Sequence, residues 1–302
     1  RGNQGDMTDC VTLRSSGAHL TDSMKAKTSN SSSATVLIIL AGGFGLDLTS
    51  EECEGCAAEL DDLPVCSEGG ADGADESCLI PGLVPLAASP VLAHLIRSFH
   101  KAGGHTVFLV ANDQNREHFE AAIAAGEVPV VSGVLCNGAT RPSAWKGEGA
   151  DLSLALHTIG SEANVLVARS SLVITRAELL ISMMTACEKQ NLSVAAVTEL
   201  EPHMPRSGQV LVLMRKPTGI DACRHLISTT SHKQDAEIGD DVLVDVALFH
   251  HTHLQSVLAA GASSIEEMVE ELVRTDARVV ALPLGAGYYS TRTLPALLVT
   301  RD

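Results

Sequence analysis

Five apolar residues, Val36 to Leu40, run without a break into Ala41-Gly42-Gly43-Phe44-Gly45. A run with no polar alternation suits a strand covered on both faces, so it predicts a buried parallel strand with helices on either side. Glycines directly after such a strand let the backbone approach a ligand closely and turn its N–H groups toward it. The spacing is G-G-x-G, which differs from the G-x-G-x-x-G of a dinucleotide site.

The rest of the chain elaborates that strand. Apolar residues at 91, 92, 95, 96 and 99 fall at helical spacing, and Gly103-Gly104 stops the helix. Strands are predicted over 106–111, 128–131, 164–168 and 193–198, alternating with helices over 116–125, 151–159 and 176–190. This rhythm predicts an α/β, Rossmann-like three-layer sandwich with a mostly parallel sheet. Beyond Glu199 it changes. Segments 209–214 and 242–249 read as an antiparallel pair, followed by helices over 253–260 and 264–274 and a strand over 278–283.

Residues 1–34 are rich in Ser, Thr, Gly and Asn and show no periodicity, so they read as a tail or linker ahead of one domain spanning 35–302. The start at Arg1 reads as processed or truncated, and the tail has no apolar region of a secretory signal. Within the domain, 49–78 is an acidic insert carrying Cys53, Cys56, Cys66 and Cys78. Four thiolates can hold zinc. A ribbon, however, wants a second C-x-x-C pair, so zinc, a disulfide and free thiols all stay open, with free thiols the default. The net charge of −16 argues against nucleic acid. No apolar run reaches the roughly 18 residues of a membrane span. Eight scattered cysteines suit a reducing, intracellular compartment, with cytoplasm and mitochondrial matrix both open.

L-A-G-G-F-G-x-x-L resembles the opening of the sugar-1-phosphate nucleotidyltransferases, whose loop wraps the nucleoside triphosphate. P-L-x-x-x-P before the helix at 91, Ala102-Gly103-Gly104, Asn137-Gly138-Ala139-Thr140 with Gly147 and Asp151-Leu152, Lys216-Pro217 and Gly287-Tyr288-Tyr289 resemble later motifs of that family, in order. The resemblance spans Val36 to about Thr293 and implies the nucleotide-diphospho-sugar transferase type of fold. It implies a nucleotide loop at Gly42, Gly43 and Gly45, with Lys216 as a phosphate contact.

The charged positions depart from the pattern. The family's loop arginine falls at Asp47, its metal-binding glycine-aspartate at Arg169-Ser170, its second metal aspartate at Ser290 and the glutamate of its E-K-P at Arg215. The lysine of its P-K pair has no counterpart near 82–85. Nucleotidyl transfer needs a metal and cations around the triphosphate. The expectation is therefore a degenerate member with no catalytic or metal residues and no cofactor, acting as a structural or regulatory subunit. Its partners would be other protein subunits, contacted through the tail and the insert. Two rivals are carried: an active sugar-1-phosphate nucleotidyltransferase using NTP and Mg²⁺ with Asp47 as a rearranged ligand, and a sensor binding a nucleotide or sugar nucleotide without turnover.

Other candidates have plain readings. His250, His251 and His253 stand where a strand passes into a helix. Alternation points the first two to opposite sides, so a solvated helix start is expected over a metal cluster. Cys136, Cys187 and Cys223 have no catalytic spacing, and Ser170 and Ser171 lack a nucleophile elbow. Trp145, the only tryptophan, is expected to fill an emptied nucleotide pocket or anchor a partner.

Overall fold

The computed structural model describes residues 34–43, 46–47, 65–69, 75–160, 162–200, 210–215, 225–232, 237, 239–284 and 288–290. The apolar run forms β1 (Thr35–Ala41), buried along its whole length. Then come α1 (Val91–Lys101), β2 (Thr106–Ala111), α2 (Arg116–Ala124), β3 (Gly133–Cys136), α3 (Glu148–Ile159) and β4 (Asn164–Arg169). A short β5 (Leu172–Ile174), α4 (Ala177–Gln190) and β6 (Ser193–Glu199) follow. The last part holds β7 (Val210–Arg215), β8 (His225–His232), β9 (Asp241–Phe249), α5 (His251–Ala259), α6 (Ile265–Arg274), β10 (Val279–Pro283) and β11 (Tyr288–Ser290).

Seven strands form the main wall in the order β3-β2-β1-β4-β9-β6-β10. All run parallel except β9, which pairs antiparallel with both β4 and β6. The hairpin β7–β8 extends the sheet to nine strands, meeting β9 at Leu211–Val242 and β10 at His225–Ala281 and Leu226–Val280. Strand β1 divides the core by its alternation. Leu37, Ile39 and Ala41 pack with Leu95, Phe99, Leu180 and Met183 from α1 and α4. Val36, Ile38 and Leu40 pack with Leu152, Leu254, Met268 and Leu272 from α3, α5 and α6. The result is a three-layer sandwich. Helix starts and stops follow the local chemistry: Ser264 Oγ accepts the Glu267 N–H to cap α6, and α4 ends on Asn191 in the left-handed region.

Two expectations are corrected. The strand expected over 128–131 lies at Gly133–Cys136 instead. Pro129 has no N–H to give a ladder and Val130 is 79% exposed; pairing with β2 begins only after Ser132 donates to the Val107 carbonyl at 2.7 Å. The pair expected between 209–214 and 242–249 shrinks to one register position, because β7 takes β8 as its partner. Strand β8 reads H-L-I-S-T-T-S-H, without the apolar alternation that would announce it. Strand β9 inserts between β4 and β6 instead, which its two apolar runs, Val242–Val244 and Val246–Phe249, permit. The acidic insert also contains backbone order: Val65–Gly69 and Asp75–Leu79 pair antiparallel, with Cys66 and Cys78 in register, and Leu46–Asp47 joins the second strand. Cys53, Cys56 and the tail lie outside the described residues, as does Cys223. Among the described residues no helix is long and apolar enough to cross a membrane.

Candidate functional site

In an open parallel sheet a ligand crevice forms outside the carboxyl ends of the strands, where the chain order reverses. Here that point lies between β1 and β4: the chain runs outward from β1 through β2 to β3, then returns to β4 on the other side. Gly42 and Gly43 leave β1 there, beside Arg169 at the end of β4, whose register partner is Leu40. Two of the three predicted glycines, Gly42 and Gly43, are thus at the switch point. Gly45 and Lys216 lie outside the described residues, and so do the side chains of Asp47, Arg215 and Ser290.

Amides pin the glycine turn. Asn112 Nδ2 and Asn115 Nδ2 both donate to the Gly43 carbonyl, at 3.0 and 3.3 Å. On the other side Asp151, from the first turn of α3, sits so close under Gly42 that a Cβ there would overlap Asp151 Oδ2 and Asn137 Nδ2. Only glycine fits. Asn137 Nδ2 donates to Asp151 Oδ1 at 2.8 Å and Trp145 Nε1 donates to Asp151 Oδ2 at 3.0 Å. That bond lays the indole on the glycine turn, its outer carbon 3.6 Å from where a Gly43 Cβ would stand. Trp145 therefore packs into the pocket, one of the two roles expected of it. The remaining cavity is about 250 Å³, bounded by Gly42, Gly43, Phe119, Trp145, Arg169 and Ser170.

Burial pushes the Asp151 carboxyl up to about 6, with the Glu148 charge adding to the rise and the bonds from Asn137 and Trp145 opposing it. A protonated carboxyl cannot accept at both oxygens as well as the ion does, so acid weakens the hold on Trp145. The emission of this sole tryptophan is expected to shift with a midpoint near pH 6 when the intact chain is titrated, and Asp151→Asn is expected to abolish the step. A tryptophan signal flat across that range would show that Asp151 does not hold the ring.

Arg169 is enclosed by carboxylates. Its Nη2 donates to Glu148 Oε2 at 2.9 Å and to Glu266 Oε2 at 2.6 Å, and its Nη1 donates to Asp245 Oδ1 and, at 2.6 Å, to Glu266 Oε1. Asp245 comes from β9, Glu148 from α3 and Glu266 from α6, so three elements meet on one side chain. The Arg169 side chain is 9% exposed. Burial alone would lower the guanidinium pKa; attraction to Asp245, Glu266 and Glu148 outweighs that and holds it well above its ordinary value, so it stays charged. Glu148 Oε2 also accepts the Ile265 N–H at 2.9 Å, fixing the start of α6.

Sequence reading located Arg169 as a departure but missed its partners. Asp245 did carry a signal, being a lone carboxylate inside the apolar strand D-V-L-V-D-V-A-L-F. Glu148 and Glu266 carried none, since a glutamate in a first helical turn is ordinary. Ser170 and Ser171 are buried beside the cavity. Cys187 is buried, its thiol pushed up to about 12 by burial and then by Glu188. Cys136 is half-buried, its sulfur 3.7 Å from Asp113 Oδ1. The histidines stand at the expected helix start, but the first two are not on opposite sides: the His250 and His251 rings lie 4.2 Å apart, and His250 is only 4% exposed. The chain turns into α5 right after His250, so strand alternation no longer separates them. Among the described residues no group of His, Cys, Asp and Glu is arranged to hold a metal ion.

No protein-family model matches the sequence, and no curated protein matches it. Solved structures do match in shape. A UDP-glucose pyrophosphorylase complexed with UDP-glucose superposes with a TM-score of 0.61 at 12% identity, over 89% of this chain and 97% of that one. A UTP-bound enzyme of the same name from Acinetobacter baumannii gives 0.60 at 12%, over 88% and 92%. A Bacillus anthracis protein assigned as a glucose-1-phosphate thymidylyltransferase, in complex with sucrose, gives 0.62 at 11%, over 89% and 94%. At such identity the likeness establishes the fold: this chain has a sugar nucleotidyltransferase-like architecture.

Proposed function

We propose that this chain is a noncatalytic protein on a sugar nucleotidyltransferase-like fold, serving as a structural or regulatory subunit of a larger assembly. Arg169 carries the reading. Nucleotidyl transfer needs a divalent cation to bridge the triphosphate and neutralise developing charge, and carboxylates are its usual ligands. Here Glu148, Asp245 and Glu266 all bond to an internal cation at the strand end beside the glycine turn. A metal entering among them would have to displace a buried, multiply bonded arginine. Trp145 and the 250 Å³ cavity support the same reading, since ligand pockets commonly start at about 300 Å³. In this reading the rigid sheet is the scaffold, and the tail at 1–34 and the acidic insert at 49–78 carry the partner contacts.

The test is direct. The purified chain, given each nucleoside triphosphate with glucose 1-phosphate and Mg²⁺, is expected to release no pyrophosphate above background. In a gentle extract it is expected to run in a complex well above a dimer of its 31.6 kDa subunits. Mg²⁺-dependent pyrophosphate release would establish the active-enzyme rival. Tight nucleotide binding without release would establish the sensor.

A further inference from the structure

The end of the sheet opposite the glycine turn carries a second cluster. Strand β9 ends at Phe249, and His250, His251 and His253 follow at the start of α5. The His250 ring lies 4.2 Å from that of His251 and 5.8 Å from that of His253. Each histidine is tied to the sheet or to the helix start. The His250 N–H donates to Ser193 Oγ at 3.1 Å, and that oxygen lies 2.8 Å from His253 Nδ1. The His251 N–H donates to Asn164 Oδ1 at 3.1 Å. Ser193 and Asn164 open β6 and β4 and are fully buried.

The protonation states follow from these partners. His250 Nδ1 accepts the Thr252 N–H at 3.4 Å and lies 2.7 Å from Thr252 Oγ1, so it caps α5 only while it carries no proton. His251 Nδ1, 3.3 Å from an amide oxygen, must itself donate. A proton on His250 thus removes the cap. It also places a cation at a helix N-terminus, where the macrodipole is already positive. A second proton sets two cations in ring contact. The groups facing the rings, Ser193 and Asn164, are neutral, and α5 bears no charged side chain to answer them. The charged residues nearest in sequence to those strand starts are Glu162, before Asn164, and Lys189, before Ser193, both exposed.

We propose that these three imidazoles form an acid-sensitive latch that ties the start of α5 to the sheet at neutral pH and releases it in mild acid. The direction follows from linkage. Burial, then the charges of His251 and His253, lower His250; burial, then His251, lower His253. The unfolded chain therefore takes up protons more readily, so the stabilisation is full above the ordinary imidazole value of about 6.5 and is lost as the pH falls through it.

Hydrogen exchange of the full chain, corrected for intrinsic rates, at about pH 7.5 and about pH 5.5 tests this on either side of the imidazole range. Amides of 250–256 are expected to open roughly tenfold more often at the lower pH, the change that one proton taken up across one unit produces, while β1 amides hold. His250→Asn keeps a capping oxygen and removes one charge, so it is expected to lose most of that acid response. Equal protection of 250–256 at both pH values, a loss spread evenly over the chain, or an Asn variant with the full acid response would overturn the latch. Should that variant fail to fold, the wild-type comparison decides alone.

Discussion

Arg169→Met is expected to destabilise the protein by about 3–5 kcal/mol at neutral pH, measured as the shift in urea unfolding free energy. The substitution keeps most of the side-chain volume and removes the charge. Glu148, Asp245 and Glu266 then remain in a nearly water-free site, their exposures 9%, 6% and 12%, without the guanidinium that bonds to all three. Against a total stability of about 5–15 kcal/mol for a domain, that is a large fraction. Arg169→Lys should lose less, but still lose, since an ammonium cannot reproduce the guanidinium fork that serves three partners at once. A loss for Arg169→Met below about 1 kcal/mol would mean that the cluster behaves like an exposed ion pair, and would remove the main support for reading it as a built-in replacement for a metal.

Gly149→Ala is expected to cost up to about 2 kcal/mol net, although it lies in a helix. Helix propensity alone favours alanine by about 1 kcal/mol. Opposing it, a Cβ on Gly149 would overlap the Ala262 carbonyl oxygen, a backbone atom that no rotamer change can move. Helix α3 and the turn before α6 must separate, and overpacking of that kind costs about 1–3 kcal/mol, occasionally more. The contact also bears on the site. The Glu148 N–H donates to the Ser263 carbonyl at 2.8 Å, and Glu148 Oε2 holds both the Ile265 N–H and Arg169. Because these groups share partners, Gly149→Ala and Arg169→Met combined should lose less than the sum of their separate effects. Simple additivity, or a stabilised Gly149→Ala, would show that the close approach of α3 does not support the arginine cluster.

The wall of the fold was legible and its closing strands were not. Strand β1, the α1 helix and the alternation up to β6 follow from unbroken apolar runs and helical spacing, because burial on both faces or on one stripe leaves those patterns in any chain. Strand β8 went unseen because its apolar positions are few. The partner of β7 went unseen because an apolar strand does not state which edge it will join. At the site, Gly42 and Gly43 were legible from their place after β1, and Arg169-Ser170 as the pair standing where the resembling family has its glycine-aspartate. The residues that answer Arg169 were not, since they lie 21, 76 and 97 positions away.

The amino-acid sequence thus determined the layered α/β class, the glycine turn at the end of the first strand, and the presence of a positive charge beside it. These depend on neighbours along the chain, where the physics of strand, turn and helix is local. Tertiary structure alone decided that β9 enters the sheet antiparallel, that Trp145 lies on Gly43 through Asp151, and that three distant carboxylates close on Arg169. Each of these is a contact across the fold. A buried charge requires compensation, but the sequence does not say which of many carboxylates will supply it; that is set by which helices and strands the sheet brings together.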